Sequence, residues 1–302
     1  MQTKFNSLDR RKFIEKTSLM AFSIGAFGSI SWNGRSFEGN APTTTDILGP
    51  FYRPGAPIRS NLIPPGISGK AMHFGGTIFQ KDGKTPLSNA MIEVWQSDPN
   101  GDYDNTSDDF LYRAALKTTK DGKYQFKTLH PVPYRVSDSL VRPAHIHIRV
   151  SSDDHQDLIT QVYFKGDPNL EGDPSSASKD SQNRILPVSQ NDSNENVVLF
   201  DIVLDKSYPL EQAAFKKLTG LYQMEDRSNI EFTMEDDLLM VKVNGQFQEA
   251  LVYKGNNHFE GGLSMIKADF NLLPDGNVEV SFSNDFRDGD RNSVTGKRFL
   301  KY

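Results

Sequence analysis

The sequence predicts an all-β protein, in which an antiparallel β-sandwich domain is followed by a small antiparallel β-domain. Short β-prone runs recur along the chain, turn residues separate them, and helical periodicity is almost absent. Two of the turns, Asp82-Gly83 and Asp121-Gly122, tolerate positive φ and therefore favour hairpins. At 302 residues the chain can bury one large core and a smaller one.

Composition and charge narrow the functional classes. The formal net charge is -5 at pH 7, and the isoelectric point is about 5.7. A nucleic-acid-binding protein normally carries a basic face, so we expect no nucleic-acid partner. The sequence contains no cysteine. Any metal site must therefore use imidazole, carboxylate or phenolate ligands, and no disulfide contributes to stability.

Residues 1–35 predict an export signal with a linker. Arg10-Arg11 precede an uncharged, largely apolar run at residues 17–32, which is shorter than the roughly 20 residues needed to cross a bilayer. This arrangement resembles a twin-arginine signal, so we expect a protein exported to the periplasm or the extracellular space. An amphipathic helix would need a polar face, which this run lacks. We expect no stable membrane span after signal removal.

The predicted β-sandwich domain covers residues 36–206. Its β-prone runs lie at residues 72–79, 90–95, 115–119, 124–129, 145–150, 158–164 and 197–204. Before the last run, residues 165–196 form a loop rich in Gly, Pro, Ser, Asn and Asp that is longer than compact domains usually tolerate. Its composition fits a segment that rims or covers a pocket, and equally fits a disordered excursion.

The predicted C-terminal domain covers residues 207–302. A short helix is predicted at its start, within residues 210–221. The β-prone runs that follow lie at residues 230–233, 238–243, 250–253, 278–282 and 297–300, separated by Asn-Gly, Gly-Asn and Asp-Gly turns. No residue pattern in this domain indicates a functional site.

The strongest chemical signal is a pair of histidines separated by one residue. His145 and His147 lie in a β-prone run bounded by Pro143 and by the polar residues 151–154. Alternate residues of a strand point to the same face, so both imidazoles are placed to grip one metal ion. The same pair is equally typical of hydrogen-bonded polar residues. The other four histidines are scattered, so further ligands must come from elsewhere.

Five motifs in a fixed order resemble the intradiol ring-cleaving catechol dioxygenases, which include catechol, hydroxyquinol and protocatechuate dioxygenases. The resemblance runs from about Ile47 to Leu204. The motifs are Gly49-Pro50-Phe51-Tyr52, Trp95 with Tyr103 eight residues on, Asp121-Gly122-Lys123-Tyr124 followed by Pro131-Val132-Pro133-Tyr134, Arg142-Pro143-Ala144-His145-Ile146-His147, and the stretch from Leu158 to Pro168.

The resemblance implies a non-haem Fe(III) centre. Its metal ligands would be Tyr103, Tyr134, His145 and His147, and an ortho-diphenol and O2 would be the substrates. The ligand set is chemically apt, because Fe(III) is a hard cation that favours anionic oxygen and can deprotonate phenols. By the same resemblance, Tyr134 is also catalytic, as the ligand that the substrate displaces.

The resemblance also implies roles for residues around the metal. Arg142 would be catalytic, since its positive charge can stabilise negative charge developing on the ring, although without the resemblance a surface ion pair is the favoured interpretation. Pro50, Tyr52 and Gln161 would contact the substrate. A Gly-Pro turn followed by aromatics also serves as core packing, and strand glutamines are commonly edge residues.

Two other functional classes remain open. A non-catalytic β-sandwich binding module would keep the scaffold without the metal, which leaves the presence of all four candidate ligands unexplained. A zinc hydrolase would use His145 and His147 with a carboxylate, which leaves the tyrosine motifs unexplained. The resemblance does not decide which diphenol is bound or whether the chain forms a homo-oligomer.

Overall fold

The fold is described from a computed structural model, which describes residues 31–32, 37–38, 41–208, 211–236, 238–263, 265–284 and 292–298. The twin-arginine pair and the apolar run up to residue 30 lie outside these residues. Strands β1 (Ser31–Trp32) and β2 (Phe37–Glu38) pair in an antiparallel manner. Within the described ranges, no helix combines the length and apolar character needed to cross a bilayer.

The larger domain is a sandwich of two sheets. Its strands are β3 (Ala71–Phe79), β4 (Met91–Trp95), β5 (Arg113–Lys117), β6 (Lys123–Leu129), β7 (Tyr134–Ser137), β8 (Leu140–Arg142), β9 (His145–Ser151), β10 (Leu158–Phe164), β11 (Ile185–Leu186), β12 (Ser189–Gln190), β13 (Asn196–Leu199) and β14 (Ile202–Val203). One sheet has the order β11-β10-β9-β4-β5, and the other has β12-β13-β3-β14 with β6 also paired to β3. Apolar side chains from both sheets, among them Phe74, Ile92 and Ile148, form the core.

The structure confirms the all-β class and refines its details. Strand β3 pairs in parallel with β13 and β14, and β10 pairs in parallel with β11, so the sandwich is mixed. The run predicted at 197–204 is interrupted, because the backbone at Phe200 and Asp201 crosses close over Gly76. The hairpin β7–β8 escaped prediction, since its strands are short and show no apolar alternation, and β7 is mostly exposed.

The C-terminal part folds into a closed β-barrel preceded by helix α1 (Gln212–Leu218). Its strands are β15 (Gly220–Met224), β16 (Asn229–Glu235), β17 (Leu238–Val243), β18 (Gln246–Gly255), β19 (His258–Gly261), β20 (Ile266–Leu272), β21 (Val278–Asn284) and β22 (Asn292–Arg298). Sequential strands pair in an antiparallel manner, and β15 also pairs with β22 to close the barrel. The interior is filled by a cluster that includes Tyr222, Phe232, Phe259 and Phe270.

The barrel packs directly on the sandwich through the outer face of β17 and β18. The apolar cluster at this contact, named here the interface cluster, has members from both domains. They are Leu48, Tyr52, Trp95 and Ile159 from the sandwich, and Leu238, Met240, Ala250 and Val252 from the barrel. An ion pair of 2.8 Å between Arg149 Nη2 and Asp236 Oδ2 also links the two. The C-terminal domain is therefore not a tethered appendage.

Candidate active site

The two histidines lie on the central strand of one sheet. Strand β9 pairs with β4 on one side and with β10 on the other. The imidazoles of His145 and His147 share one face of the strand, with ring centroids 4.9 Å apart. Their exposed fractions are 2% and 1%. The strand pleat thus brings the pair together, as the one-residue spacing predicts.

The backbone orients the His145 ring. Its Nδ1 lies 2.6 Å from the carbonyl oxygen of Pro143. A carbonyl can only accept, so Nδ1 carries the proton and Nε2 keeps its lone pair. That Nε2 lies 3.2 Å from the hydroxyl of Tyr103. The ring is therefore held in the tautomer whose unprotonated, metal-binding nitrogen faces the tyrosines.

His147 has no hydrogen-bond partner for either ring nitrogen. Among the described residues, the buried side-chain polar atoms without a partner are Nδ1 and Nε2 of His147 and Nε1 of Trp95. The Trp95 ring stacks on His147, with centroids 4.9 Å apart and an interplanar angle of 12°. A buried polar atom without a partner costs free energy. A metal ion bound to the imidazole lone pair would remove the part of that cost that falls on one His147 nitrogen.

Tyr103 and Tyr134 join His145 and His147 in a group of four side-chain rings, named here the ring group. The centroids of the two phenol rings lie 5.7 Å apart, Tyr134 lies 5.5 Å from His145, and Tyr103 lies 6.0 Å from His147. Gly101 permits this approach: its φ is +92°, and a Cβ there would lie 3.0 Å from the Tyr134 Cβ. The four ligands that the sequence proposes, which are far apart along the chain, therefore converge.

Burial keeps all four groups uncharged when no cation is bound. It lowers the pKa of His145 and of His147 well below the ordinary histidine value. It raises the pKa of Tyr103 well above the ordinary tyrosine value and raises that of Tyr134 as well. Neutral imidazoles are ready to bind a metal, whereas the phenols need a nearby cation in order to ionise.

This donor set fits a hard trivalent cation such as Fe(III). In the parts of the chain that the structure describes, no three residues drawn from His, Asp and Glu gather into a metal-binding group. The donors that accompany the histidines are thus the two phenols. Two phenolates and two neutral imidazoles offer the anionic oxygen that Fe(III) prefers.

Arg142 lies in the interior beside the four rings, not in a surface ion pair. It faces Tyr134 across the β7–β8 hairpin. Its Nε donates to Asp173 Oδ1 at 2.9 Å, and its Nη2 donates to Gln161 Oε1 at 2.9 Å. Burial alone would lower the pKa of Arg142, but Tyr163 and Asp173 raise it above its ordinary value. The guanidinium therefore remains positively charged.

The loop at residues 165–196 is ordered and anchors this arginine. It contains a 3-10 helix, Lys179–Arg184, and its Asp173 is 1% exposed. Arg184 Nη1 donates to Asp46 Oδ2 at 2.5 Å and to the Gln161 carbonyl oxygen at 2.6 Å. The disordered excursion that the composition allowed is therefore excluded, and the loop forms the wall behind Arg142.

Two of the predicted substrate contacts, Pro50 and Gln161, lie beside the ring group. Pro50 is exposed and follows Gly49, where a Cβ would lie 3.3 Å from His147 Cε1. Gln161 is fully buried, accepts from Arg142, and donates through Nε2 to the Ile47 carbonyl oxygen at 2.8 Å. Their contact with a substrate stays a prediction.

Tyr52 is placed differently. Its hydroxyl accepts from Arg149 Nη1 at 2.8 Å and lies 3.2 Å from Glu93 Oε2. Its ring packs 5.1 Å from Trp95 within the interface cluster. Because these partners already occupy the hydroxyl, the structure favours a packing role for Tyr52 behind the site.

Comparisons with known proteins identify the family. Residues 47–206 match the family model described as dioxygenase. A chlorocatechol 1,2-dioxygenase from Rhodococcus opacus is 36% identical over 192 residues, covering 56% of this chain and 74% of the relative. The chain belongs to the intradiol ring-cleaving dioxygenase family. A hydroxyquinol 1,2-dioxygenase from Corynebacterium glutamicum is 34% identical over 191 residues, covering 57% of this chain and 61% of that relative.

The likeness extends to solved structures of intradiol dioxygenases. The catechol 1,2-dioxygenase from Acinetobacter sp. ADP1 matches with a TM-score of 0.50 at 26% identity, over 56% of this chain and 64% of that one. The matches to other curated relatives span about half of their length, for example 52% and 58%. The family model ends at residue 206, before the barrel.

Sequence reasoning missed several residues of this intradiol dioxygenase site. Asp173 holds Arg142, Tyr163 places its hydroxyl 3.3 Å from Arg142 Nη2, and Phe51 stacks on Tyr103 with centroids 4.3 Å apart. Phe51 and Tyr163 stand inside the quoted motifs, so a closer reading of those motifs could have found them. Asp173 lies in a Gly-Asp-Pro turn of a polar loop, where no local pattern distinguishes it.

Proposed function

We propose that the protein is a non-haem Fe(III)-dependent intradiol dioxygenase that opens a catechol-type ring between its two hydroxylated carbons. The product would be a cis,cis-muconate-type diacid, in which both atoms of O2 are retained without an external reductant. The observation that carries the proposal is the convergence of two phenols and two imidazoles around the partnerless nitrogens of His147. The substrates of the relatives support an ortho-diphenol but do not select one.

Tyr103, Tyr134, His145 and His147 would hold the iron. When bound there, Fe(III) would draw electron density from a chelated diphenolate, so that the ring becomes open to attack by O2. The protein's own contribution is to fix these donors. The Pro143 carbonyl orients His145, and the Trp95 ring orients His147.

Tyr134 is the phenol that we assign to proton transfer. A diphenol that binds through both oxygens as a dianion would give up two protons; Tyr134 Oη, as a phenolate, would take one and a hydroxide from solvent would take the other. Its hydroxyl interacts with the Arg142 guanidinium, which opposes the effect of burial on its pKa. Tyr134 also starts strand β7, whose next three residues are exposed, whereas the Tyr103 ring is covered by Phe51.

Arg142 supplies a fixed positive charge beside the substrate. Its hydrogen bonds to Asp173 and Gln161 aim the guanidinium and restrict its reorientation. A preorganised charge in a buried site stabilises negative charge on the reacting ring more strongly than the same charge in water. Arg142 thus lowers the barrier without carrying out bond chemistry itself.

Iron content and the visible spectrum of the purified protein test this proposal. Tyrosinate bound to Fe(III) absorbs in the visible, so the protein loaded with iron should be coloured. Oxygen uptake with a panel of catechols should then show consumption of one O2 per diphenol. A protein that stays colourless after iron reconstitution would leave a binding module on the same scaffold as the better description.

The Tyr103→Phe and Tyr134→Phe variants test the ligand assignment. Each should weaken the visible absorption and lower kcat by about 100-fold or more, since even groups that only orient ligands are commonly worth 10 to 100-fold. Tyr124→Phe is the matched control, because it removes a buried hydroxyl that donates to the Phe200 carbonyl, away from the ring group. Unchanged colour in both ligand variants would contradict the assignment.

Export through the twin-arginine pathway is proposed on the sequence of residues 9–32 alone. Fractionation of cells that express the full chain should recover it outside the cytoplasm. Replacement of Arg10 and Arg11 by lysine should retain it inside, because the pathway requires the arginine pair. Equal distribution of the two proteins would contradict export by this route.

A further inference from the structure

The segment at residues 46–49 forms part of the wall of the ring group. Gly49 has a φ of +76°, and its backbone lies so close to His147 that a Cβ would stand 3.3 Å from Cε1 of the imidazole. A shift of this segment would therefore displace or release the His147 ring. The position of the Gly49 backbone is part of what holds that ligand.

Hydrogen bonds from two domains fix this segment. The sandwich holds its first half: Asp46 N donates to the Ile159 carbonyl oxygen at 2.9 Å, and the Ile47 carbonyl accepts from Gln161. The next amide, that of Leu48, donates to Oε1 of Glu249 at 2.9 Å. Glu249 belongs to strand β18 of the barrel, 201 residues further along the chain. The amide directly before Gly49 is thus held by the C-terminal domain.

The surroundings of Glu249 make this contact specific. The side chain is 2% exposed and accepts from its own neighbour Ala250 N at 3.0 Å as well as from Leu48 N. On either side of it, the interface cluster seals the contact with apolar side chains. A buried amide deprived of its acceptor costs about 1–3 kcal/mol, so the segment would move to find another partner.

We propose that Glu249 is a positioning residue of the active site, through which the barrel fixes the Leu48–Gly49 backbone against the His147 ring. The C-terminal barrel is then a component of the metal site and not an independent module. Glu249 itself touches neither metal nor substrate. The catalytic consequences rest on the proposed function, whereas the control of the 46–49 backbone does not.

Three variants distinguish a role of Glu249 in positioning the Leu48–Gly49 backbone from a general contribution to the stability of the protein. Glu249→Ala removes the acceptor, and Glu249→Gln keeps an amide oxygen at the same place and should rescue. Val252→Ala is the matched control, because it truncates a side chain of the same barrel face without touching the Leu48 amide. Should Glu249→Ala not fold, Glu249→Asp withdraws the carboxyl by one methylene and serves in its place.

Hydrogen exchange read by mass spectrometry, on full-length protein without iron, gives the first readout. Glu249→Ala should speed exchange in the peptide that contains residues 46–52, while Glu249→Gln and Val252→Ala leave that peptide near the wild-type rate. Equal exchange in Glu249→Ala and Val252→Ala would overturn the proposal. This readout stands even if the protein binds no iron.

Iron affinity, measured by chelator competition, gives the second readout. Glu249→Ala should weaken iron binding by about tenfold and shift the visible band, as loss of a group behind a metal ligand commonly does. Val252→Ala should lower the melting temperature and leave affinity and band unchanged. Wild-type affinity and spectrum in Glu249→Ala would overturn the metal-site role. Absence of iron binding in the wild type would instead count against the proposed function, with the exchange result unaffected.

Discussion

At the scale of single residues, the site depends on side chains whose own partners lie far away in sequence. Arg142 is aimed by Asp173, which is 31 residues further on. His147 is bounded by the Gly49 backbone and by the Trp95 ring. Tyr134, Arg142, His145 and His147 sit on strands, whereas Tyr103, Gly49 and Asp173 lie in loops. Substitutions of the supports should therefore alter the site although all four ligand side chains remain present.

Asp173→Asn should reduce kcat by about tenfold, because the neutral amide still accepts from Arg142 Nε but no longer opposes its charge in the buried site. The unfolding free energy should fall by about 1–3 kcal/mol. Steady-state kinetics and urea unfolding measure the two effects. Glu171→Gln, an exposed change in the same loop, is the control. Wild-type kcat in Asp173→Asn would show that Arg142 does not depend on this carboxylate.

Gly49→Ala should both destabilise the protein and weaken its metal site. Its φ of +76° costs a non-glycine residue about 1 kcal/mol, and the new Cβ would press on His147. Gly55→Ala has the same backbone cost, with a φ of +85° and no atom within 4 Å of its Cβ. Iron titration should therefore distinguish the two variants although their melting temperatures are similar. Equal iron affinities would place Gly49 outside the site.

At the scale of elements, close backbone packing decides where strands end. Between β13 and β14 the chain crosses over β3, where Phe200 N donates to the Gly75 carbonyl and Thr77 N donates to Asp201 Oδ1. The apolar run 197–204 predicts one strand, and the crossing divides it into two. Gly76 permits the crossing, because a Cβ there would overlap the Phe200 carbonyl oxygen.

Gly76→Ala should cost about 3 kcal/mol or more of unfolding free energy, since backbone on both sides must shift to accept the methyl group. Chemical denaturation measures the loss. Gly172→Ala, whose new Cβ would approach nothing closer than 3.9 Å, should be nearly neutral. Similar stability of the two variants would contradict the close crossing.

At the scale of the whole molecule, two domains share one interface next to the site. Strand β17 is buried on both sides: Leu239 and Val241 point into the barrel, while Leu238 and Met240 belong to the interface cluster. Its run Leu238-Leu239-Met240-Val241 is continuously apolar for this reason, in contrast to the alternation typical of a barrel strand that faces water. Glu249 is a carboxyl group buried at the same interface.

Glu249 should make stability fall as pH rises. Burial, with Asp46 nearby, raises its pKa from 4.5 to about 8. Between these values the native state keeps the proton that the unfolded state releases, so the unfolding free energy decreases with pH, by on the order of a few kcal/mol in total. Glu249→Gln removes this pH-dependent contribution to the unfolding free energy, because an amide does not titrate. Urea unfolding of iron-free protein at pH 5, 7 and 9 should therefore show that the unfolding free energy of the variant rises relative to that of the wild type as pH rises. A pH-independent difference would contradict the raised pKa.

The sequence by itself determined the all-β class, the family, and the four candidate ligands. Strand alternation places His145 and His147 on one face, whereas Tyr103 and Tyr134 are implied by the resemblance of the ordered motifs to the family. The hairpin β7–β8, Asp173 and Glu249 were not predictable, because each is defined by a partner distant in sequence and carries no local pattern. Only the tertiary structure decided that the 165–196 loop holds Arg142 and that the barrel abuts the ring group. The physical reason is that burial and hydrogen-bond partners, which set the charge and position of these groups, arise only when distant segments pack together.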